Sequence, residues 1–287
     1  EKSSNLKFNE GFFCGYSPER INPGDQYHQI EDVVKIVSGS TKKVTMFINK
    51  LYSRIIKAGT FKVSSIKIAE AAKVIENTQR DLNIAFMNEL SIIFNKLQLD
   101  TEEILMAAES KWNFHKYRPG LVGGHCIGID PYYLTHKAQK VGYTPKIILS
   151  GREINDSMSE YVTQRLVEKM NEKKIKVSGC RVLILGLTFK ENCSDLRNSK
   201  TFDLISKLKR INCKVEVYDP LVKNINSKDF QIISKPIKCR YDAIIITIKH
   251  NIFKKMSVSD LKSFCKNKHV IYDLKYLFKK EDSDIRL

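Results

Sequence analysis

Arg181-Val-Leu-Ile-Leu-Gly-Leu187 is a run of apolar residues and one glycine behind a single arginine, with no polar alternation. A strand covered on both faces reads this way. Outward from it, Lys200 to Lys209 has helical spacing and Lys214 to Tyr218 is a second apolar run. Tyr241 to Ile248, Val258 to Cys265 and Val270 to Asp273 continue the series. Short Ile/Val-rich runs alternating with helical ones predict β-α-β units and a parallel, doubly wound sheet. Ligands of such a sheet bind outside the carboxyl ends of the strands. The turn after the first of these strands, Gly186-Leu-Thr-Phe-Lys-Glu191, is not a dinucleotide fingerprint, and Gly-x-Gly-x-x-Gly occurs nowhere in the chain.

Upstream the texture is more helical. Gly11 to Tyr16 and Val33 to Ser38 read as strands, and Lys42 to Lys57 as a helix with Val44, Phe47, Ile48, Leu51 and Ile55 on one face. Ile66 to Leu97 holds no glycine or proline and predicts one helix about 48 Å long, a length that commonly bridges domains or meets a partner subunit. Thr101 to Ser110 follows as a helix, then the loop Arg118-Pro-Gly-Leu-Val-Gly-Gly-His-Cys126. Asp130-Pro131 reads as the N-cap and first residue of a helix over Tyr132 to Val141, and Ser157 to Asn171 as another. The polar run Glu172 to Ser178 reads as a link.

Composition limits the function. The net charge is +17, but 38 of the 49 basic residues are lysines spread in pairs such as Lys173-Lys174 and Lys254-Lys255, which argues for a solvated surface and against a nucleic-acid stripe. No apolar run reaches the ~20 residues of a membrane helix, so no membrane partner and a cytoplasmic address are expected. Seven scattered cysteines without a Cys-x-x-Cys pair read as reduced thiols and give no metal site.

Cys126 is the sharpest single residue, because it follows two glycines and precedes a helix N-terminus, where a thiol can be acidified. A buried structural cysteine is the alternative. Lys73 and Asn77 stand four apart on the long helix and share a face, where an ammonium and an amide could meet an oxyanion. Glu70 and Glu76 could instead pair with Lys73 as surface charges. From spacing alone Asp130 is a helix cap and Glu19 a turn residue.

Three segments occur in the order and spacing of the UDP-glucose/GDP-mannose dehydrogenase family. They are Ser17-Pro-Glu-Arg-Ile-Asn-Pro-Gly-Asp25, Gly123-Gly-His-Cys-Ile-Gly-Ile-Asp-Pro131 and Gly186-Leu-Thr-Phe-Lys-Glu-Asn-Cys-Ser-Asp-Leu-Arg197. The chain most resembles the branch acting on UDP-N-acetylglucosamine or UDP-N-acetylgalactosamine in polysaccharide synthesis. The resemblance implies oxidation of the C6 alcohol to a carboxylate in two hydride transfers to NAD, through a cysteine thiohemiacetal and thioester. By motif position Cys126 resembles the nucleophile, Lys73 and Asn77 the oxyanion pair, Asp130 the carboxylate that organises water and proton transfer, and Glu19 the glutamate of thioester hydrolysis. Gly123, Gly124, Lys190 and Lys275 resemble substrate contacts, and Arg197 resembles a residue on the NAD side. The resemblance also implies an α/β chain in three parts: the end of an NAD-binding Rossmann domain (1–65), a central helical dimerisation layer carrying the cysteine (66–174), and a Rossmann-like UDP-sugar domain (175–287). A homodimer through the central helices is expected.

The sequence departs from the family at named places. Pro23 stands where several relatives have a second glutamate, Ile129 where some UDP-glucose enzymes have a lysine, and Lys275 where many relatives have an arginine. The family's N-terminal Gly-rich turn, and the threonine that works with the aspartate, lie outside these 287 residues, so the chain alone is expected to be inactive. The rival reading is a non-catalytic remnant that keeps dimerisation or nucleotide-sugar binding.

Overall fold

A computed structural model describes residues 1–21, 28–222 and 230–287. Pro23, with its place in the hydrolytic motif, lies outside the described residues. The chain divides into two compact units, Glu1–Thr78 and Gln79–Leu287, and the division falls within one helix.

In the first unit, β1 (Gly15–Tyr16) pairs antiparallel with β2 (Lys35–Gly39), which pairs in parallel with β3 (Thr60–Lys62). Helix α1 (Lys42–Tyr52) starts where the Thr41 hydroxyl accepts the Val44 N–H, a hydroxyl cap at the N-terminus. It ends five residues before the expected Lys57, and none of its residues is buried: Phe47 and Leu51, expected on a core face, are exposed, as is Ile55 beyond its end. Helix α2 (Ile66–Lys96) begins in this unit and continues into the second. Its 31 residues match the uninterrupted helical pattern.

The second unit carries α3 (Thr101–Glu109), α4 (Asp130–Lys140) and α5 (Lys146–Glu172) ahead of the sheet. Six strands follow: β4 (Arg181–Leu185), β5 (Lys214–Tyr218), β6 (Gln231–Ile232), β7 (Tyr241–Ile246), β8 (Cys265–Asp273) and β9 (Ile285–Arg286). Every pairing among them is parallel, in the order β6-β5-β4-β7-β8-β9. That order reverses between β4 and β7, which is the arrangement of a doubly wound Rossmann sheet, with its ligand crevice at the reversal. The α/β fold expected from the apolar runs is therefore present. Alternate residues of β4 serve opposite faces. Val182 and Ile184 join Met158, Val162, Leu166 and Leu204 of α5 and α6 (Thr201–Arg210), while Leu183 and Leu185 join Phe253 and Leu261 of α7 (Asn251–Lys254) and α8 (Val258–Ser263). A sheet buried on both faces needs apolar residues at every strand position, and this explains the unbroken Val-Leu-Ile-Leu.

The turn out of β4 is sterically fixed. Gly186 has φ +101°, and a methyl group on it would lie 2.0 Å from Ile248 Cγ2. The Thr247 hydroxyl donates to the carbonyls of Leu185 and Gly186 at 3.0 and 2.7 Å. β4 and β7 are thus locked together at the reversal point, and residues 187–200 leave as a loop before α6 begins.

Candidate active site

In the second unit the loop before Cys126 is held by a buried amide clamp. The Gly120 N–H donates to Asn88 Oδ1 at 2.8 Å, and Asn88 Nδ2 donates to the Gly120 carbonyl at 3.1 Å. Asn88 also donates to Asn155 Oδ1 at 2.8 Å, and Asn155 donates to the Asp81 carboxylate at 2.8 Å. Arg152 closes the network on Asp81 at 2.7 Å and on Asp156 at 2.6 Å. Asp81, Asn88 and Asn155 are at most 1% exposed, so each unmade bond here would cost about 1–3 kcal/mol. Burial opposes ionisation of Asp156, but bonds from Tyr132 and Lys200 and the Arg152 charge hold its pKa below the ordinary value.

Cys126 is half-buried in a tight turn whose carbonyl accepts the N–H groups of Ile129 (3.1 Å) and Asp130 (2.8 Å). The second of these is already a helical bond, so α4 starts one residue earlier than expected. Ile129 is the N-cap and Asp130 the first helical residue, which corrects the reading of Asp130 as the cap. Gly123 and Gly124 are needed for packing. A methyl on Gly123 would lie 2.8 Å from the Asn198 carbonyl, and one on Gly124, at φ +92°, would lie 2.8 Å from the Phe189 ring. The same Phe189 ring meets His125 edge-on at a centroid distance of 6.5 Å. The 186–200 loop therefore lies against Gly123-Gly-His125, next to the thiol.

Other sequence-predicted residues of this unit fall on or near these two loops. Lys190 is half-buried in the 186–200 loop. Arg197 is exposed and forked onto Asp195 at 2.6 Å, a bond that raises its pKa. The Lys275 ammonium lies beside Gly120, where a methyl on the glycine would come within 2.9 Å of it. Burial pushes its pKa down and the Lys249 charge adds to this, against Glu191 and Asp273. Its ammonium makes no ion pair among the described residues. A cation held this way has an incentive to meet an anion. A cleft of about 540 Å³ is lined by Gly124 and Gly128 of the glycine loop and by Tyr132, Arg152, Asn198 and Lys200 among others.

In the first unit Glu19 is exposed, and its carboxylate accepts the backbone N–H groups of Arg20 and Ile21, both at 2.7 Å. Its segment is tied to β2: Ser17 Oγ donates to the Ile36 carbonyl at 2.6 Å and Lys35 Nζ to the Pro18 carbonyl at 3.0 Å. Arg20 pairs with Glu76 at 2.7 Å. Lys73 is half-buried, makes no ion pair among the described residues, and shares its helix face with Asn77, which is buried. The surface pair Lys73–Glu76 that spacing allowed is replaced by Arg20–Glu76.

Profiles of two domains match this chain: the central domain of the UDP-glucose/GDP-mannose dehydrogenase family over residues 67–157, and its UDP-binding domain over residues 183–280. The UDP-N-acetyl-D-glucosamine 6-dehydrogenase of Salmonella typhi is 55% identical over 100% of this chain and 68% of its own length. The chain belongs to the UDP-glucose/GDP-mannose dehydrogenase family. The Pseudomonas aeruginosa enzyme of the same name is 54% identical over 100% of this chain and 69% of its own length. The solved UDP-D-ManNAc dehydrogenase of Pyrococcus horikoshii superposes with a TM-score of 0.83 at 27% identity, covering 96% of this chain and 64% of that one. This chain thus spans about two thirds of each relative. The family membership read from the three motifs is borne out, and members of the family named here are dehydrogenases of UDP-N-acetylhexosamines.

Family membership implies NAD, and the second unit's sheet does not fit it. A dinucleotide cradle needs a tight glycine turn leading straight into a helix N-terminus. Here β4 leads to a 15-residue loop, Gly186–Lys200, and the Asp219 carboxylate already accepts the Leu187 and Thr188 N–H groups at 2.7 and 3.2 Å. Residues that sequence reasoning missed are mostly those that hold others in place: Asn88, Asn155 and Arg152 behind the cysteine loop, and Phe189, Asp219 and His250 around the 186–192 turn. Only Asp219 had a signal, an acid just past the second strand of a β-α-β sheet. No helix among the described residues is long and apolar enough to cross a membrane.

Proposed function

We propose that the protein is the 6-dehydrogenase of a UDP-N-acetylhexosamine, NAD-dependent and cytoplasmic, working in surface polysaccharide synthesis. Family membership supports the class, and one observation carries the reading of the site: a half-buried thiol beside a glycine loop, clamped from behind by Asn88 and faced by the Lys190 loop. When bound, NAD+ would accept the two hydrides lost from C6, the first of which turns the alcohol into the aldehyde. The chain's part is covalent: the Cys126 sulfur adds to C6 of the aldehyde to give a thiohemiacetal. Loss of hydride from that carbon leaves a thioester, and water cleaves it to the carboxylate and returns the thiol. Asp130, two peptide bonds past Gly128 on the first turn of α4, is proposed to organise that water and its proton. Gly123, Gly124, Lys190 and Lys275 are proposed substrate contacts, with the desolvated Lys275 ammonium suited to the diphosphate. Arg197 is proposed to reach the cofactor side. Lys73, Asn77 and Glu19 keep the roles that the family motif gives them, each open to substitution. The three-part division at 1–65, 66–174 and 175–287 and a homodimer through α2 belong to the same proposal.

The test is turnover by the full-length protein. UDP-N-acetylhexosamine with NAD+ should give NADH and the uronate, and Cys126→Ser should give no uronate. Normal uronate formation by Cys126→Ser would remove the nucleophile assignment, and a wild-type protein that binds UDP without oxidising the sugar would favour the remnant reading.

A further inference from the structure

At the carboxyl ends of β4, β5 and β7 one imidazole bridges both ends of the arc that carries Phe189 and Lys190. His250 is 1% exposed. Its Nε2 lies 3.2 Å from Asp219 Oδ2 and 3.2 Å from Thr188 Oγ1, at the start of the arc. Its Nδ1 accepts the Asn192 N–H at 2.9 Å, at the end of it. A backbone N–H can only donate, so Nδ1 carries no proton and the hydrogen sits on Nε2, directed at the carboxylate. Thr188 in turn donates its hydroxyl to the Lys190 carbonyl at 3.1 Å, and Asn192 Oδ1 accepts the Asn251 N–H at 2.9 Å.

The two ends of the arc are not equally secured. The Thr188 end is held independently, because Asp219 accepts the Leu187 and Thr188 N–H groups without help from the imidazole. At the Asn192 end the side chain is held by the Asn251 N–H, and the backbone N–H has His250 Nδ1 as its acceptor. Asn192 sits at φ +55°, a left-handed conformation that asparagine adopts more readily than other non-glycine residues. We infer that His250 is a positioning residue for nucleotide-sugar binding: through its Nδ1 bond to Asn192 it fixes the 188–192 arc, and with it Lys190 and the Phe189 ring that packs on Gly124. The inference rests on the proposed function, since it takes Lys190 to meet the substrate.

Two substitutions in the full-length protein divide the imidazole's bonds. His250→Asn keeps an acceptor near the Nδ1 position, and His250→Gln keeps a donor near the Nε2 position. KM for the UDP-sugar, kcat and UDP affinity are measured on the same preparations as the melting temperature. His250→Gln is expected to raise KM and weaken UDP binding about five- to tenfold, the worth of about one hydrogen bond, with little change in kcat, and His250→Asn to recover most of the loss. Unchanged KM in His250→Gln overturns the inference. So does a fall in melting temperature that tracks the loss of affinity equally in both variants, because the imidazole would then hold only the fold. Wild-type protein that neither binds UDP nor oxidises the sugar defeats the proposed function as well, whereas a normal wild type with insensitive variants defeats this inference alone.

Discussion

Lys275 shows how a single residue can be tuned for a ligand by what is left out around it. Its ammonium is desolvated beside Gly120, and the nearby Lys249 charge makes protonation harder still, so its pKa lies below the ordinary lysine value. A diphosphate would add counter-charge to that of Glu191 and Asp273 and draw the pKa back up. The sign for binding follows: the charged form binds the anion, so affinity is full at low pH and falls as pH rises through the lowered pKa of the free protein. An arginine stays charged throughout this range. UDP affinity of the wild-type protein should therefore fall on the alkaline side earlier than that of Lys275→Arg, as titration calorimetry between pH 7 and 10 would register. Superimposable profiles would remove Lys275 from the diphosphate site.

At the scale of elements, what the sequence revealed depended on how local the cause was. β5 and α2 fall where their apolar periodicity put them, because a two-sided strand or a long helix writes its burial into every residue. Helix α5 was expected from Ser157 and begins at Lys146. Gly151 lies within the added turns, where α5 packs tightly on Leu82: a methyl there would stand 2.5 Å from Leu82 Cδ2. β3 was missed because three residues become a strand only through their distant partner β2. The cysteine was legible from its glycines and its motif, whereas Asn88 looks like any polar residue of a long helix until Gly120, 32 positions later, is set beside it. Helix α2 also carries a signal not used by its own fold. Phe86, Ile93 and Leu97, spaced seven and four apart on one face, are 52%, 43% and 60% exposed. An apolar stripe of this kind, running to Leu97 just past the helix end, suits the proposed dimer contact. Phe86→Glu with Ile93→Glu is expected to convert the proposed homodimer to monomer in sedimentation, with the far-ultraviolet spectrum unchanged; a dimer that survives both charges would place the interface elsewhere.

For the whole molecule the governing quantity is charge. Residues 79–287 hold 37 lysines and arginines against 24 aspartates and glutamates, so most of the +17 excess lies in the unit that matches the UDP-binding domain. Lysines dispersed along a chain do not make a nucleic-acid stripe, but their summed field raises the local concentration of a small polyanion around the whole surface. The contribution is long-range and hence screened, with a Debye length that shrinks from about 10 Å at 0.1 M salt to about 3 Å at 1 M. A contact made by a desolvated group such as Lys275 is screened far less. The two terms separate by ionic strength: raising salt from 50 to 500 mM should increase KM for the UDP-sugar by roughly three- to tenfold while kcat stays near its starting value. Neutralising surface lysines at the opposite, amino-terminal edge of the sheet, Lys209→Gln with Lys214→Gln, should flatten that dependence without changing KM at high salt. If the double variant keeps the full salt response, the attraction arises within the site itself and the basic surface serves solubility alone.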